Sequence, residues 1–117
     1  MAFAVIKIGD KSVPMMSNAA TPIRYKQVFK KNLNSFFLGK MSEEESADLP
    51  GELAYIMSKS AEGADMNKLS FDGYVEWLTG FEALDFAVAV TDIINVYQNN
   101  LGSSSEVKKN QDQPTGK

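Results

Sequence analysis

The sequence predicts a mainly α chain: an N-terminal β-hairpin, a small bundle of about four helices, and a disordered C-terminal tail. Three observations predict it. Residues 3–8 alternate loosely around a Gly9-Asp10 turn. Between residues 21 and 100, apolar side chains recur at helical spacing and are punctuated by caps and breakers. After Gly102 the only apolar side chain is Val107, so that segment lacks the material for a core.

Ile6 and Ile8 flank Lys7, Gly9-Asp10-Lys11 has turn chemistry, and residues 12–16 return as a second strand. Pro14 has no amide hydrogen and belongs at an edge or at the end of the pairing. A hairpin alone is marginal, so helices or another copy must cover it. Thr21 as N-cap and Pro22 at the first helical position start a helix through Tyr25, Phe29, Leu33 and Phe36 or Phe37, which Gly39 ends. Ser42 with Glu45 forms a capping box for a short turn that Pro50 interrupts. A second helix with Leu53, Ile56 and Met57 fades at Glu62-Gly63, and residues 63–69 form a loop. Ser70 caps a helix whose face is Phe71, Tyr74, Val75 and Leu78, and Gly80 permits a break. Residues 83–100 form the last helix, with Leu84, Val88 or Ala87, Ile94 or Thr91, and Tyr97 or Ile93 on one side. The domain division that follows is 1–101 for the helical body and 102–117 for the polar tail.

Composition narrows the function classes. The chain of 117 residues has no His and no Cys, which removes thiol chemistry, disulfides and the commonest general base. Its glycines are scattered singly, without the spacing of a phosphate-binding loop. The expectation is a protein that is not an enzyme and has no cofactor and no metal. No apolar run has the roughly 18–20 residues that span a bilayer, and residues 2–8 are too short for a signal peptide. A membrane is therefore not an expected partner, and nucleic acid is not one either, because the basic set is small and the chain as a whole is acidic.

The net charge of −3 is unevenly spread. Residues 21–40 hold Arg24, Lys26, Lys30, Lys31 and Lys40 without an acid, whereas residues 41–100 are strongly acidic. Such a pair of surfaces can neutralise within one chain or between copies.

Residues 65–78 resemble the exit half of an EF-hand, but Ala64, Met66 and Gly73 fall where calcium needs oxygen ligands, so the register fails. The aromatics are more informative. Phe36 and Phe37 are adjacent and cannot share a face; Trp77 lies outside the Phe71–Tyr74–Val75–Leu78 face; Phe81 and Phe86 flank the break at Gly80. Phe36, Phe37, Trp77, Phe81 and Phe86 are the candidates for contact with a partner or another copy, the alternative being core.

Three stretches resemble a known family: AVIKIGDKSVPMMSNAATPIRYKQVFKKNL, then ELAYIMSKSAEGADMNKLSFDGYVEWLTGFEALDF, then a terminal helix with a polar tail. Over residues 4–100 the chain is similar to the tail assembly chaperones of long-tailed bacteriophages of Gram-positive bacteria. The resemblance implies a non-enzymatic protein that binds and coats the long helical tape measure protein before the tail tube closes around it. It also implies recruitment of tail tube subunits, homo-oligomers, residence in the cytoplasm of the infected host, and absence from the mature virion. The alternative is a head–tail joining or tube-associated protein retained in the particle. Members of the family commonly occur in two lengths through a programmed frameshift, for which Lys108-Lys109 and Gly116-Lys117 are candidate positions. The resemblance assigns no binding residues.

Overall fold

A computed structural model describes residues 2–102. Of the expected tail, Gly102 ends the last helix, and residues 103–117, with both candidate frameshift positions, lie outside the described residues.

Strands β1 (Ala2–Ile8) and β2 (Lys11–Ser17) form an antiparallel hairpin in which Ile6 faces Val13 and Ala4 faces Met15. Period-two alternation sends Ile6, Ile8, Val13 and Met15 inward and leaves Phe3 and Val5 outside. Pro14 stands opposite Val5, where a two-stranded sheet has only edges and no ladder bond is forfeited. Gly9 sits at φ 67 while Asp10 does not have positive φ, the type II′ pattern that suits a two-residue hairpin loop. A Cβ at Gly9 would also run into the Asp85 carboxylate. We expect Gly9→Ala to lower stability by about 1–3 kcal/mol, read from thermal melts.

Five α-helices follow: α1 (Thr21–Phe29), α2 (Leu33–Phe37), α3 (Glu43–Glu62), α4 (Phe71–Leu78) and α5 (Ala83–Gly102). The hairpin covers two of them, with α3 lying under β2 and α5 mainly under β1. Helices α1 and α4 pack on α3. The core between the layers is built from Ile8, Met15, Tyr25, Leu33, Leu49, Leu53, Ile56, Met57, Ile93 and Tyr97, all nearly or fully buried. The predicted hairpin and helical bundle are thus present.

Two boundaries differ from the sequence expectation. The first helix does not run to Gly39. It stops at Lys30, which takes a left-handed φ of 62, and Asn32 then caps α2 by accepting a hydrogen bond from the Asn34 amide. Thr21 is inside α1; its hydroxyl accepts from the Asn18 amide, and Ala20 holds the cap position without a side-chain bond. The second difference is at Pro50, which does not interrupt. Helix α3 runs through it from a capping box at Ser42 and Glu45 to a left-handed C-cap at Gly63. Pro50 forfeits a bond to the Ser46 carbonyl, a cost of about 3 kcal/mol in a helix interior. The fully buried row of Leu49, Leu53, Ile56 and Met57 offsets it, since burying each such side chain is worth about 1.5–3 kcal/mol.

Helices α3 and α4 meet through a reciprocal glycine–tyrosine contact. A Cβ at Gly51 would lie 2.9 Å from the Tyr74 hydroxyl, and one at Gly73 would lie 2.8 Å from the Tyr55 hydroxyl. Each helix therefore gives up a side chain where the other inserts a phenol. The close approach seats Tyr74 between α3 and α4, where its ring also meets Phe29 edge-on at 5.1 Å.

Four tyrosines, Tyr25, Tyr55, Tyr74 and Tyr97, are buried, and burial raises the hydroxyl pKa of each above the ordinary value of 10.0. For Tyr25 the hydrogen bond to Glu52 adds to burial, and for Tyr74 the Glu52 and Asp48 charges do. The folded chain keeps these protons above pH 10 while the unfolded chain releases them. Their contribution to stability is therefore fully present below about pH 10 and is lost as pH rises beyond it. Melts between neutral and strongly alkaline pH should show a level stability that falls only above that point, with tyrosinate absorbance appearing together with unfolding.

Candidate functional site

Of the five aromatics singled out in the sequence, the structure brings three together. Trp77 at the end of α4, Phe81 in the α4–α5 connection and Phe86 in the first turns of α5 form a triangle with ring centroids 5.0, 5.8 and 5.1 Å apart. Trp77 also meets Tyr55 of α3 at 5.6 Å. Lys11, from the start of β2, places its ammonium 5.0 Å above the Phe81 ring and donates to the Gly80 carbonyl, tying the hairpin to the connection. All three aromatics are half-buried against the core. Phe36 and Phe37 lie elsewhere: Phe37 stacks on Tyr97 at 5.3 Å, and Phe36 meets Phe37 edge-on at 5.0 Å.

The aromatic triangle backs one end of an open groove of about 420 Å³. Helix α3 contributes Ala47, Asp48, Pro50 and Gly51 to it; α4 contributes Tyr74 and Leu78; Phe81 stands at the connection; α5 contributes Ala83, Phe86, Ala87 and Val90. The groove exists because the facing positions are small. Ala47 and Gly51 are one turn apart on α3, as are Ala83 and Ala87 on α5. The sequence reading missed these residues, since a pair of small residues becomes a groove wall only once the helices pair.

Helices α4 and α5 also carry exposed apolar side chains outside the groove lining. Phe71 and Val75 precede Leu78 at i, i+4, i+7 on α4 and are 58% and 44% exposed. Leu84 and Val88 on α5 are 74% and 79% exposed, on a stripe turned away from the groove-lining Ala83, Phe86, Ala87 and Val90. Acids border the groove. Asp48 is in the wall, Glu44 lies one turn before it on α3, and Glu82 adjoins Phe81 and Ala83. Among the described residues the salt bridges are Lys31–Glu52 and Lys59–Glu62, so none of these three acids is ion-paired with another described residue.

The first of those pairs is a second feature missed in the sequence. Glu52, on α3, is 4% exposed. Its carboxylate accepts a 2.7 Å hydrogen bond from the Tyr25 hydroxyl and lies 3.0 Å from the Lys31 ammonium. Every partner is on a different segment, so the triad pins α1 and the turn after it to α3. It has the character of a fixed structural link, with its carboxylate fully engaged.

Among the described residues no group of three or more acidic side chains is placed to hold a metal ion. Asp65, prominent in the EF-hand-like stretch, instead caps the 3₁₀ turn at Met66–Lys68 by accepting from the Asn67 amide. No helix in the described residues is long and apolar enough to cross a membrane. Comparisons with protein-family models, curated proteins and solved structures gave no match to the chain. The groove itself offers an apolar channel with the Asp48 carboxylate in its wall.

Proposed function

We propose that this chain is a bacteriophage tail assembly chaperone, acting without catalysis, whose groove between α3, α4 and α5 holds apolar helical segments of the tape measure protein until the tail tube closes around them. The observation that carries this reading is the groove with its apolar lining. A channel of about 420 Å³ whose lining includes Tyr74, Leu78, Phe81, Phe86 and Val90, with Phe71 and Val75 exposed on the same helix as Tyr74 and Leu78, has the form of a site for one face of an apolar helix. Exposed apolar patches of this kind mark contact surfaces more often than they mark stable solvent-facing ones. The resemblance over residues 4–100 supports the identity of the client, a long helix that would aggregate if left bare.

In this function Phe81 and Phe86 touch the client from the groove wall, and Trp77 holds both rings from behind. Phe36 and Phe37, on the Tyr97 side, serve a separate contact with a tube subunit or a further copy. Many copies line one tape measure, and the net charge of −3 on each keeps the coated assembly dispersed. The protein acts in the host cytoplasm during assembly and leaves the finished tail.

Co-expression with the tape measure protein of the same gene cluster tests this directly. A soluble complex that co-elutes is the expected result. A tape measure that stays insoluble, with this chain eluting alone, overturns it. Mass spectrometry of purified virions separates the alternative, since a head–tail joining or tube-associated protein would be present at fixed copy number.

A further inference from the structure

Among the described residues, the basic segment 21–40 is not neutralised by the acidic body of its own chain. Of its five cations, only Lys31 forms a salt bridge, the one to Glu52. Arg24 donates to the neutral amides of Gln27 and Asn67, and Lys30 donates to the Gln27 carbonyl of its own helix. Helix α1 turns Thr21, Tyr25 and Phe29 inward. Its outward stripe is Ile23, Lys26 and Gln27, spaced i, i+3, i+4, and Lys30 is exposed just beyond it at the left-handed C-cap. Ile23 is 61% exposed and is the apolar member of that stripe.

The groove presents the complementary arrangement. Its floor is apolar and its border carries Glu44, Asp48 and Glu82, none of them ion-paired among the described residues. An apolar knob flanked by cations faces an apolar channel flanked by anions, and α1 cannot reach the groove of its own chain. Tyr25 and Phe29 are buried against the body, and the Tyr25–Glu52 hydrogen bond holds the helix there.

We propose that the groove of one copy receives the Ile23 face of α1 from a second copy. Ile23 enters between Ala47 and Ala87, and Lys26 and Lys30 lie over the acids of the border, their methylene stems covering the apolar margin. The free chain thereby covers its own sticky channel, and a client helix must displace the neighbouring α1 to enter. Charge complementarity supplies orientation and association rate, and the buried apolar contact supplies the hold.

The interface uses the groove assigned above to the client but does not rest on that assignment, and its test uses the purified full chain alone. Sedimentation velocity over a concentration series reads the association. The wild type should self-associate, and rising salt should weaken it because the paired charges lie at a partly exposed border. The variants Lys26→Glu/Lys30→Glu and Glu44→Lys/Asp48→Lys each place like charges across the contact and should weaken association about tenfold or more. An equimolar mixture of the two restores opposite charges across the contact and should associate as the wild type does. All four positions are exposed, and unchanged circular dichroism melts will show that the variants fold. A strictly monomeric wild type, variants that associate like the wild type, or a mixture that fails to re-associate would each overturn the interface. Failure of the co-expression experiment would leave this result standing.

Discussion

Replacing Glu52 by alanine should lower folding stability by about 2–4 kcal/mol, one of the largest single effects outside the aliphatic core. The carboxylate is 4% exposed and serves two partners on different segments. Its removal leaves the Tyr25 hydroxyl buried without an acceptor, a penalty of about 1–3 kcal/mol for the stranded group. Lys31 retains 20% side-chain exposure and can recover water, which keeps the total below that for a fully buried pair. Urea denaturation of Glu52→Ala should show a lower midpoint with an unchanged slope. Tyr25→Phe should cost less, about 1 kcal/mol, because the Lys31–Glu52 pair survives and the ring still packs on Phe29 at 5.2 Å. Glu52→Ala and Tyr25→Phe combined should cost less than the sum of their separate effects, since both break the same bond. Full additivity would mean that the triad does not act as a unit.

This triad also shows where sequence reasoning stops. Lys31 reads as one member of a basic run and Glu52 as one of many acids, and neither carries a local mark of its partner. They meet because the chain turns at Lys30 and again at Asn32, which brings Lys31 back over α3. The turn itself is poorly marked: Phe29 and Leu33 keep the helical spacing straight across it. Asn32 is the one available signal, as a side chain that prefers to cap rather than continue. Pro50 failed in the opposite direction, where a strong local rule lost to the burial of a whole helix face. What was legible had local causes. The hairpin was readable from alternation and Gly9, the start of α3 from Ser42 with Glu45, and the start of α4 from Ser70, whose hydroxyl accepts from the Gly73 amide. The aromatic surplus was legible as a surplus but not as a place. Trp77, off the predicted face, is half-buried against Tyr55 and the two phenylalanines, and the open surface lies beside it, among alanines that no periodicity singles out.

That displacement decides which substitution separates recognition from folding. Trp77→Ala cannot do so, because Trp77 touches Tyr55, Phe81 and Phe86 and its loss undermines the α4–α5 connection. Truncation of a large aromatic with several packed neighbours costs about 3 kcal/mol. Ala87→Glu should do it. Ala87 is exposed, lines the groove and is not one of the packed rings of the triangle. Glutamate is a good helix former, and near the N-terminal end of α5 its charge is tolerated, so stability should stay within about 0.5 kcal/mol of the wild type. Across the groove, however, the new carboxylate lies where an apolar helix face would have to strip it of water without offering a counter-charge. Binding of the tape measure segment should then fall by roughly a hundredfold, the scale of a disrupted central contact. Ala87→Leu, which adds bulk without charge, should fall far less. Titration of both variants against a tape measure fragment, with melts run in parallel, gives the comparison. Equal binding by Ala87→Glu and the wild type would move the client away from this groove, whatever the co-expression experiment had shown.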